Sequence, residues 1–442
     1  MARHHIPAPV ATAYLAFVLI GVSAGIGGVL LPAQMHDYGI DRATIGITFF
    51  TFSAGFMAAG ATAGMLVHRL GVRLALAAGG AIFAVAALGS ALRPPFAALV
   101  AIQVVAGYGV GTVESVLNAY LSEQPGMTVL LNRLHAFFGV GALIGPAMAA
   151  WMLGFSPWTA VLLVVGVASV PLTIAFLLVG FPARPTAATG PAPGSGTDPG
   201  TDPGAPAVPA TSGRGLLGVA LRTPAVLLGA TFLAVYVGLE VSVGNWGFSF
   251  LISERDLTDL LAGYTVSGYW LGLTVGRFVI SPVAERIGLT STGMAFACLA
   301  GVAASAAVIW IAPVAAVAGV GLVLLGFFLG PLFPTAMAAV PRLTASRLVP
   351  TAIGLMNGIS VVGGSALPWL AGTIAQTIGV WTLPPFVVLL ALAQLVIWRL
   401  VVDRMTPVKA VRLGAWRSRR RSAGCPRRSG CRPASRCSAG PE

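Results

Sequence analysis

Glu114 and His135 stand in two long apolar stretches, each able to cross a bilayer, joined by the polar turn Ser122-Glu123-Gln124-Pro125-Gly126. On the first stretch Gln103, Gly107, Gly111, Glu114 and Asn118 recur at steps of four, four, three and four. That spacing gives one helical face that is small, polar and carries a carboxylate. On the second, Asn132, His135, Gly139, Ala142 and Pro146 form a matching stripe with an imidazole in it. Such groups inside a membrane are costly, and the usual return is a path for ions or solute. The chemistry open to Glu114 is proton uptake and release; the alternative is a neutral Glu hydrogen-bonded to Asn118 or to a neighbouring helix. His135 reads equally as a proton carrier and as a neutral bridge between two helices. Arg133 lies near the end of its stretch and reads as snorkelling to the interface.

A second group follows in the other half of the chain. Tyr236, Glu240, Gly244 and Gly247 share one face, with Asn245 and Trp246 beside it. A buried acid near aromatics and an amide suits a hydroxyl-rich ligand, with rings stacking on CH groups and polar groups bonding hydroxyls. Trp246 reads also as an anchor at the membrane interface. Ser267, Trp270, Thr274 and Arg277 line up on the next segment; Arg277 is read as reaching the interface, with pairing to an acid in a cavity as the alternative. Gly330-Pro331-Leu332-Phe333-Pro334-Thr335 permits bending and reads as a gate. Asn357, Ser360, Gly364 and Pro368 read mainly as close packing, with Asn357 able to touch a ligand. The candidate proton-coupling residues are therefore Glu114, Glu240 and His135. The candidate solute contacts are Gln103, Asn118, Tyr236, Asn245, Trp246, Trp270 and Asn357.

These residues need a membrane scaffold to hold them. Of 442 residues 57% are hydrophobic and only 9% charged, too little charge for a soluble chain of this length. With about 20 apolar residues needed per crossing, twelve spans are expected, at 11–31, 43–67, 74–92, 96–121, 129–153, 157–181, 224–252, 260–281, 289–311, 313–338, 350–375 and 381–402. The first is expected to be an uncleaved helix rather than a signal peptide.

A net charge of +13 does not read as nucleic-acid binding, because of where the charges fall. Arg3, Arg69, Arg73, Arg184, Arg214, Arg222, Arg286, Arg342, Arg347 and Arg404 occupy the termini and alternate loops, and Arg42, Arg93 and Arg255 the opposite set. The positive-inside rule then puts both termini and the long middle loop in the cytoplasm. The organisation read from this is a cytoplasmic segment 1–10, a six-helix bundle 11–181, a flexible linker 182–222, a second six-helix bundle 223–403 and a basic tail 404–442. Linker and tail are rich in Pro, Gly, Ser or Arg and lack a burial pattern. Cys298 lies in a span; Cys425, Cys431 and Cys437 in the tail lack the further ligand a zinc site needs. There is no Walker loop, metal cluster or nucleophile elbow, so neither enzyme chemistry nor a cofactor is expected, and any pumping draws on an ion gradient.

The loop Gly64-Met65-Leu66-Val67-His68-Arg69-Leu70-Gly71-Val72-Arg73 resembles the signature of the major facilitator superfamily, with His68 where the family has an acid. Ser281-Pro282-Val283-Ala284-Glu285-Arg286-Ile287-Gly288 repeats it in the second half and keeps the acid. The resemblance implies an all-α membrane fold of two pseudo-symmetric six-helix bundles, with the first, fourth, seventh and tenth spans lining a cavity and every third span peripheral. It also implies a gating role for Gly64, Arg69, Gly71, Arg73, Glu285 and Arg286.

The segments Gly107 to Tyr120, Leu131 to Ala142, Tyr236 to Trp246, Gly276-Arg277, Phe333-Pro334-Thr335 and Gly363 to Trp369 resemble the branch that includes fucose permease and sodium-dependent glucose transporter relatives. There a glutamate of the fourth span serves proton coupling and sugar binding, and Glu114 matches it. The family's acid in the first span is missing here, which leaves Glu240 as a substitute. The implied function is cation-coupled uptake of a sugar or similar small polar solute by alternating access, with the proton favoured over sodium. The implied setting is a monomer in the inner (plasma) membrane. The rival is a proton-driven drug or metabolite exporter, because Gly141-Ala142-Leu143-Ile144-Gly145-Pro146 resembles most of an antiporter motif, with Ala149-Ala150 in place of its final glycines.

Overall fold

A computed structural model describes residues 7–181 and 213–405. Residues 182–212 of the expected linker, the first six residues and the tail from 406, with its three cysteines, lie outside the described residues.

The apolar runs become helices because nothing in a bilayer core can satisfy a backbone amide except the segment itself. In chain order they are α1 (Ala8–Tyr38), α2 (Arg42–Ile45), α3 (Ile47–Ala91), α4 (Phe96–Ser122), α5 (Met127–Leu153), α6 (Trp158–Leu178), α7 (Gly213–Leu221), α8 (Pro224–Glu254), α9 (Asp259–Arg286), α10 (Ser291–Ile311), α11 (Ala315–Leu329), α12 (Leu332–Leu343), α13 (Val349–Thr377) and α14 (Leu383–Arg404). Among the described residues there is no strand.

Twelve crossings result, because α3 crosses twice and α11 with α12 forms one broken span. In α3 the reversal falls at Gly71 (φ 78°, ψ 164°), a backbone state that costs other residues dearly. Gly288 (φ 77°) ends the equivalent turn after α9. The break between α11 and α12 falls at Gly330-Pro331, where Gly330 packs against the backbone of Leu273 and Arg277.

Nine residues expected to belong to the linker, Gly213–Leu221, form α7, which packs on α8 and α13 with Ala220 fully buried. Apolar residues recur there at helical spacing, which a reading by Gly and Pro content passes over.

The two halves repeat one pairing scheme. α1 packs along α5 as α8 does along α13, the first part of α3 packs on α4 as α9 does on α11, and the second part of α3 packs on α6 as α10 does on α14. The first two of these pairings are made at glycines. A Cβ at Gly141 would fall on the carbonyl of Val18, one at Gly107 on that of Phe52, one at Gly363 on that of Ala234 and one at Gly272 on that of Val323. Small residues let membrane helices meet backbone to backbone.

Hydrogen bonds and ring contacts join the halves at mid-depth and towards the end remote from the termini. There Ala147 N–H donates to Ser267 Oγ at 3.1 Å, Phe49 meets Trp246 with ring centroids 6.3 Å apart, and Phe50 meets Trp369 at 5.8 Å. At the terminus end, a side chain added at Gly64, Gly71, Gly288 or Gly354 would meet open space.

Candidate functional site

A cavity of about 460 Å³ lies between the halves, within the roughly 300–1,000 Å³ usual for small-molecule sites. Its walls come from α1, both parts of α3, α4, α5, α6, α8, α9 and α13. Ser23, Gly27 and Gln34 of α1 line it, as do Gln103 and Glu114 of α4, Asn245 of α8 and Trp270 of α9. Thr48, Ser53 and Ser90 of α3 add hydroxyls, and Phe49, Phe52, Phe56 and Phe138 add ring faces. Such a lining offers donors, acceptors and aromatic faces with one carboxylate among them.

The stripe read on α4 divides in two. Gln103 and Glu114 open on the cavity, whereas Gly107 and Gly111 turn onto the backbone of Phe52 and Phe56 and let α4 approach α3. Glu114 is half-buried, and its carboxylate makes no hydrogen bond or ion pair among the described residues. Asn118 leaves it alone: its amide donates to the backbone carbonyl of Glu114 at 2.9 Å, and it does not line the cavity.

Trp246 is also turned away from the cavity. It is 2% exposed, its indole N–H donates to the carbonyl of Pro368 at 2.8 Å, and its ring covers Gly372. It therefore joins α8 to α13 rather than facing solute. Trp270 does face the cavity; its ring lies on Gly244, and its buried indole N–H has no partner.

A second polar cluster sits beside the cavity on α8 and α9. Arg277 Nη2 is 3.8 Å from Glu240 Oε1, and Tyr269 Oη donates to the backbone carbonyl of Glu240 at 3.0 Å. Arg277 thus pairs with an acid beside the cavity instead of reaching the interface, because Glu240 projects from the neighbouring helix towards it. Tyr236 is fully buried here, packs on Phe333 and does not line the cavity. His135 is exposed, edge-on to Phe17 with centroids 5.6 Å apart. Asn357 is exposed near the terminus end of α13 and does not line the cavity, to which Val361 and Gly364 contribute instead.

Among the expected gating residues, Gly64, Arg69, Gly71, Arg73, Glu285 and Arg286 are all exposed, and the four charged ones make no ion pair among the described residues. The glycines of the motif on α5 are spent on packing, Gly141 and Gly145 meeting the carbonyls of Val18 and Val22 of α1. The broken span α11–α12 lines no part of the cavity, while the second part of α3, expected to be peripheral, supplies Phe83, Ala86, Ala87 and Ser90. The spacing of Phe49, Phe52, Ser53 and Phe56 carries the signal for the α3 wall that a search for ionisable groups overlooks.

A family model described as Major Facilitator Superfamily matches residues 13–323 and 241–429. The chain belongs to the major facilitator superfamily. Like its relatives it is a transporter and not an enzyme. It is 26% identical over 393 residues to "Bypass of stop codon protein 6" of Saccharomyces cerevisiae, covering 83% of this chain and 77% of that one. It is 25% identical over 388 residues to a "Glucose/galactose transporter" of Brucella abortus, covering 83% of this chain and 87% of that one. Among solved structures the fucose:proton symporter of E. coli superimposes with a TM-score of 0.59 at 16% identity, over 89% of this chain and 98% of that one. This superfamily member shares the expected fold of twelve transmembrane helices in two six-helix bundles.

Proposed function

We propose that the chain is a secondary active transporter that takes up a sugar or similar small polar solute together with protons, by alternating access. The observation that carries this reading is Glu114, a carboxylate without a partner on the wall of a cavity shared by two pseudo-equivalent bundles. A lone carboxyl in such a place binds a proton or a solute hydroxyl, and one group doing both couples the two. Gln34, Gln103, Asn245 and the α3 hydroxyls supply further hydrogen bonds for a polyhydroxyl solute. The sugar named for the Brucella abortus relative is consistent with that lining.

In this reading the basic loops and termini face the cytoplasm of an inner (plasma) membrane. The arrangement with contacts at the remote end and space at the terminus end is then an inward-facing state. Glu240 serves as a second proton-linked acid, and Arg69, Arg73, Glu285 and Arg286 meet their partners when the cytoplasmic side closes. Residues 11–181 and 223–403 act as the two moving bodies.

The test is accumulation of labelled glucose or galactose in vesicles reconstituted with the protein under an imposed inward proton gradient. Uptake should exceed that without a gradient, and Glu114→Gln should lose the gradient-driven part while equilibrium exchange survives. Gradient-independent uptake in the unmodified protein, or loss of exchange as well as uptake in the variant, overturns the coupling role.

A further inference from the structure

The cluster on α8 and α9 holds a guanidinium whose hydrogen-bonding capacity is not met. Arg277 offers several N–H donors in a fixed fork, yet its one ionic contact, to Glu240, is 3.8 Å long. Charge-assisted N–H···O bonds run at about 2.7–2.9 Å. Its Nε is shielded from water and unpartnered, and so is the hydroxyl of Tyr236, which is fully buried and faces both Glu240 and Arg277. Buried polar groups are normally satisfied, so two unmet donors beside one loose ion pair mark an incomplete site. The side chain of Arg277 nevertheless keeps 27% of its surface exposed. On the same turns of α8, Val237 and Val241 line the cavity.

We infer that Arg277 is an anion subsite, and that the preferred solute is a hydroxylated monocarboxylic acid, such as a sugar acid, rather than a neutral sugar. The inference rests on the transporter reading for the solute's route and goes further in naming its charge. The carboxylate takes the open edge of the Arg277 fork and displaces Glu240. Glu240 then accepts the O–H of Tyr236, which has no other acceptor. The hydroxylated body lies among Asn245, Gln103 and the α3 hydroxyls, and Glu114 on the opposite wall disfavours a second negative charge on the solute.

The test is isothermal titration of the purified full-length protein with matched acid and neutral pairs: glucuronate against glucose, and 4-hydroxybenzoate against 4-hydroxybenzyl alcohol. In at least one pair the acid should bind at least about tenfold more tightly, equivalent to ~1.4 kcal/mol. Arg277→Gln should erase that preference while changing binding of the neutral partner less than about twofold, and Arg277→Lys, which keeps the charge, should retain part of it. Tyr236→Phe should weaken acid binding severalfold at an unchanged melting temperature. The inference fails if no acid binds, if every neutral partner binds as well as its acid, or if Arg277→Gln keeps the preference. Equilibrium binding needs no gradient, so acid preference without gradient-driven uptake would count against the coupling reading alone.

Discussion

Arg42 and Gln376 lie 334 residues apart in the chain and meet at 3.3 Å, with the backbone N–H and Nη1 of Arg42 both donating to Gln376 Oε1. Gly46, one turn further on, sits against Trp369, which also stacks edge-on with Phe50. These contacts fasten the first half to the second at the end remote from the termini. Their release is required before a cavity between the halves can open there.

Gln376→Ala should therefore shift the protein towards the state open at that end. An exposed hydrogen bond contributes about 0.5–1.5 kcal/mol, so the population ratio should move by roughly two- to tenfold. Spin labels at Phe155→Cys and Ile378→Cys would report it, as growth of a longer distance in the variant. An unchanged distribution would assign the closure to Gly46 and Trp369 instead.

The helix-facing glycines should separate sharply from the others in stability. Gly141→Ala drives a methyl onto the carbonyl of Val18 and should cost about 1–3 kcal/mol. Gly358→Ala meets nothing within 4 Å and should be neutral or stabilising by up to ~1 kcal/mol through helix propensity. Thermal unfolding in detergent compares the two directly.

Two tryptophans selected by the same reasoning should behave oppositely. Trp246→Phe removes the donor to Pro368 in a buried contact and should cost about 1–3 kcal/mol of stability, with solute affinity little changed. Trp270→Phe removes an indole N–H that has no partner in the protein. It leaves no protein acceptor unpaired, so solute affinity should change by a larger factor than in Trp246→Phe. Melting and titration measured on both variants check the contrast.

Asp41 accepts from Thr44 N–H at 2.7 Å at the start of α2, and hydrogen bonding to the Thr44 side chain, with the backbone N–H second, holds its carboxyl below the usual carboxylate range. A depressed value means stability present above the ordinary carboxylate range and lost as pH falls through the lowered one. The difference in melting temperature between the unmodified protein and Asp41→Ala should thus be constant from about pH 5 to 8 and should close in more acidic buffer. A difference that persists at the lowest pH would mean that the charge is not what holds the cap.

Twelve crossings, two repeats and the glycine-marked loops were legible because bilayer thickness and helical period leave few alternatives. Glu114 and Gln103 were legible too, since polar side chains on an apolar helix have few places to point. The surroundings of Trp246 and Arg277 were not. Whether an indole meets Pro368 or solute, and whether a guanidinium meets Glu240 or the interface, depends on which helix lies opposite, and no spacing within one helix carries that. The α3 wall escaped notice for a related reason, because its phenylalanines look like lipid-facing residues until a partner half is set against them.

Within each half α1 and α5, the first part of α3 and α4, α8 and α13, and α9 and α11 touch where glycine lies on carbonyl. A seam of that kind tolerates neither sliding nor tilting by a fraction of a turn. In the alternating-access reading such seams would confine shape change to the boundary between the halves, where Ser267 meets Ala147 and Trp369 meets Phe50, with each half travelling as a solid piece.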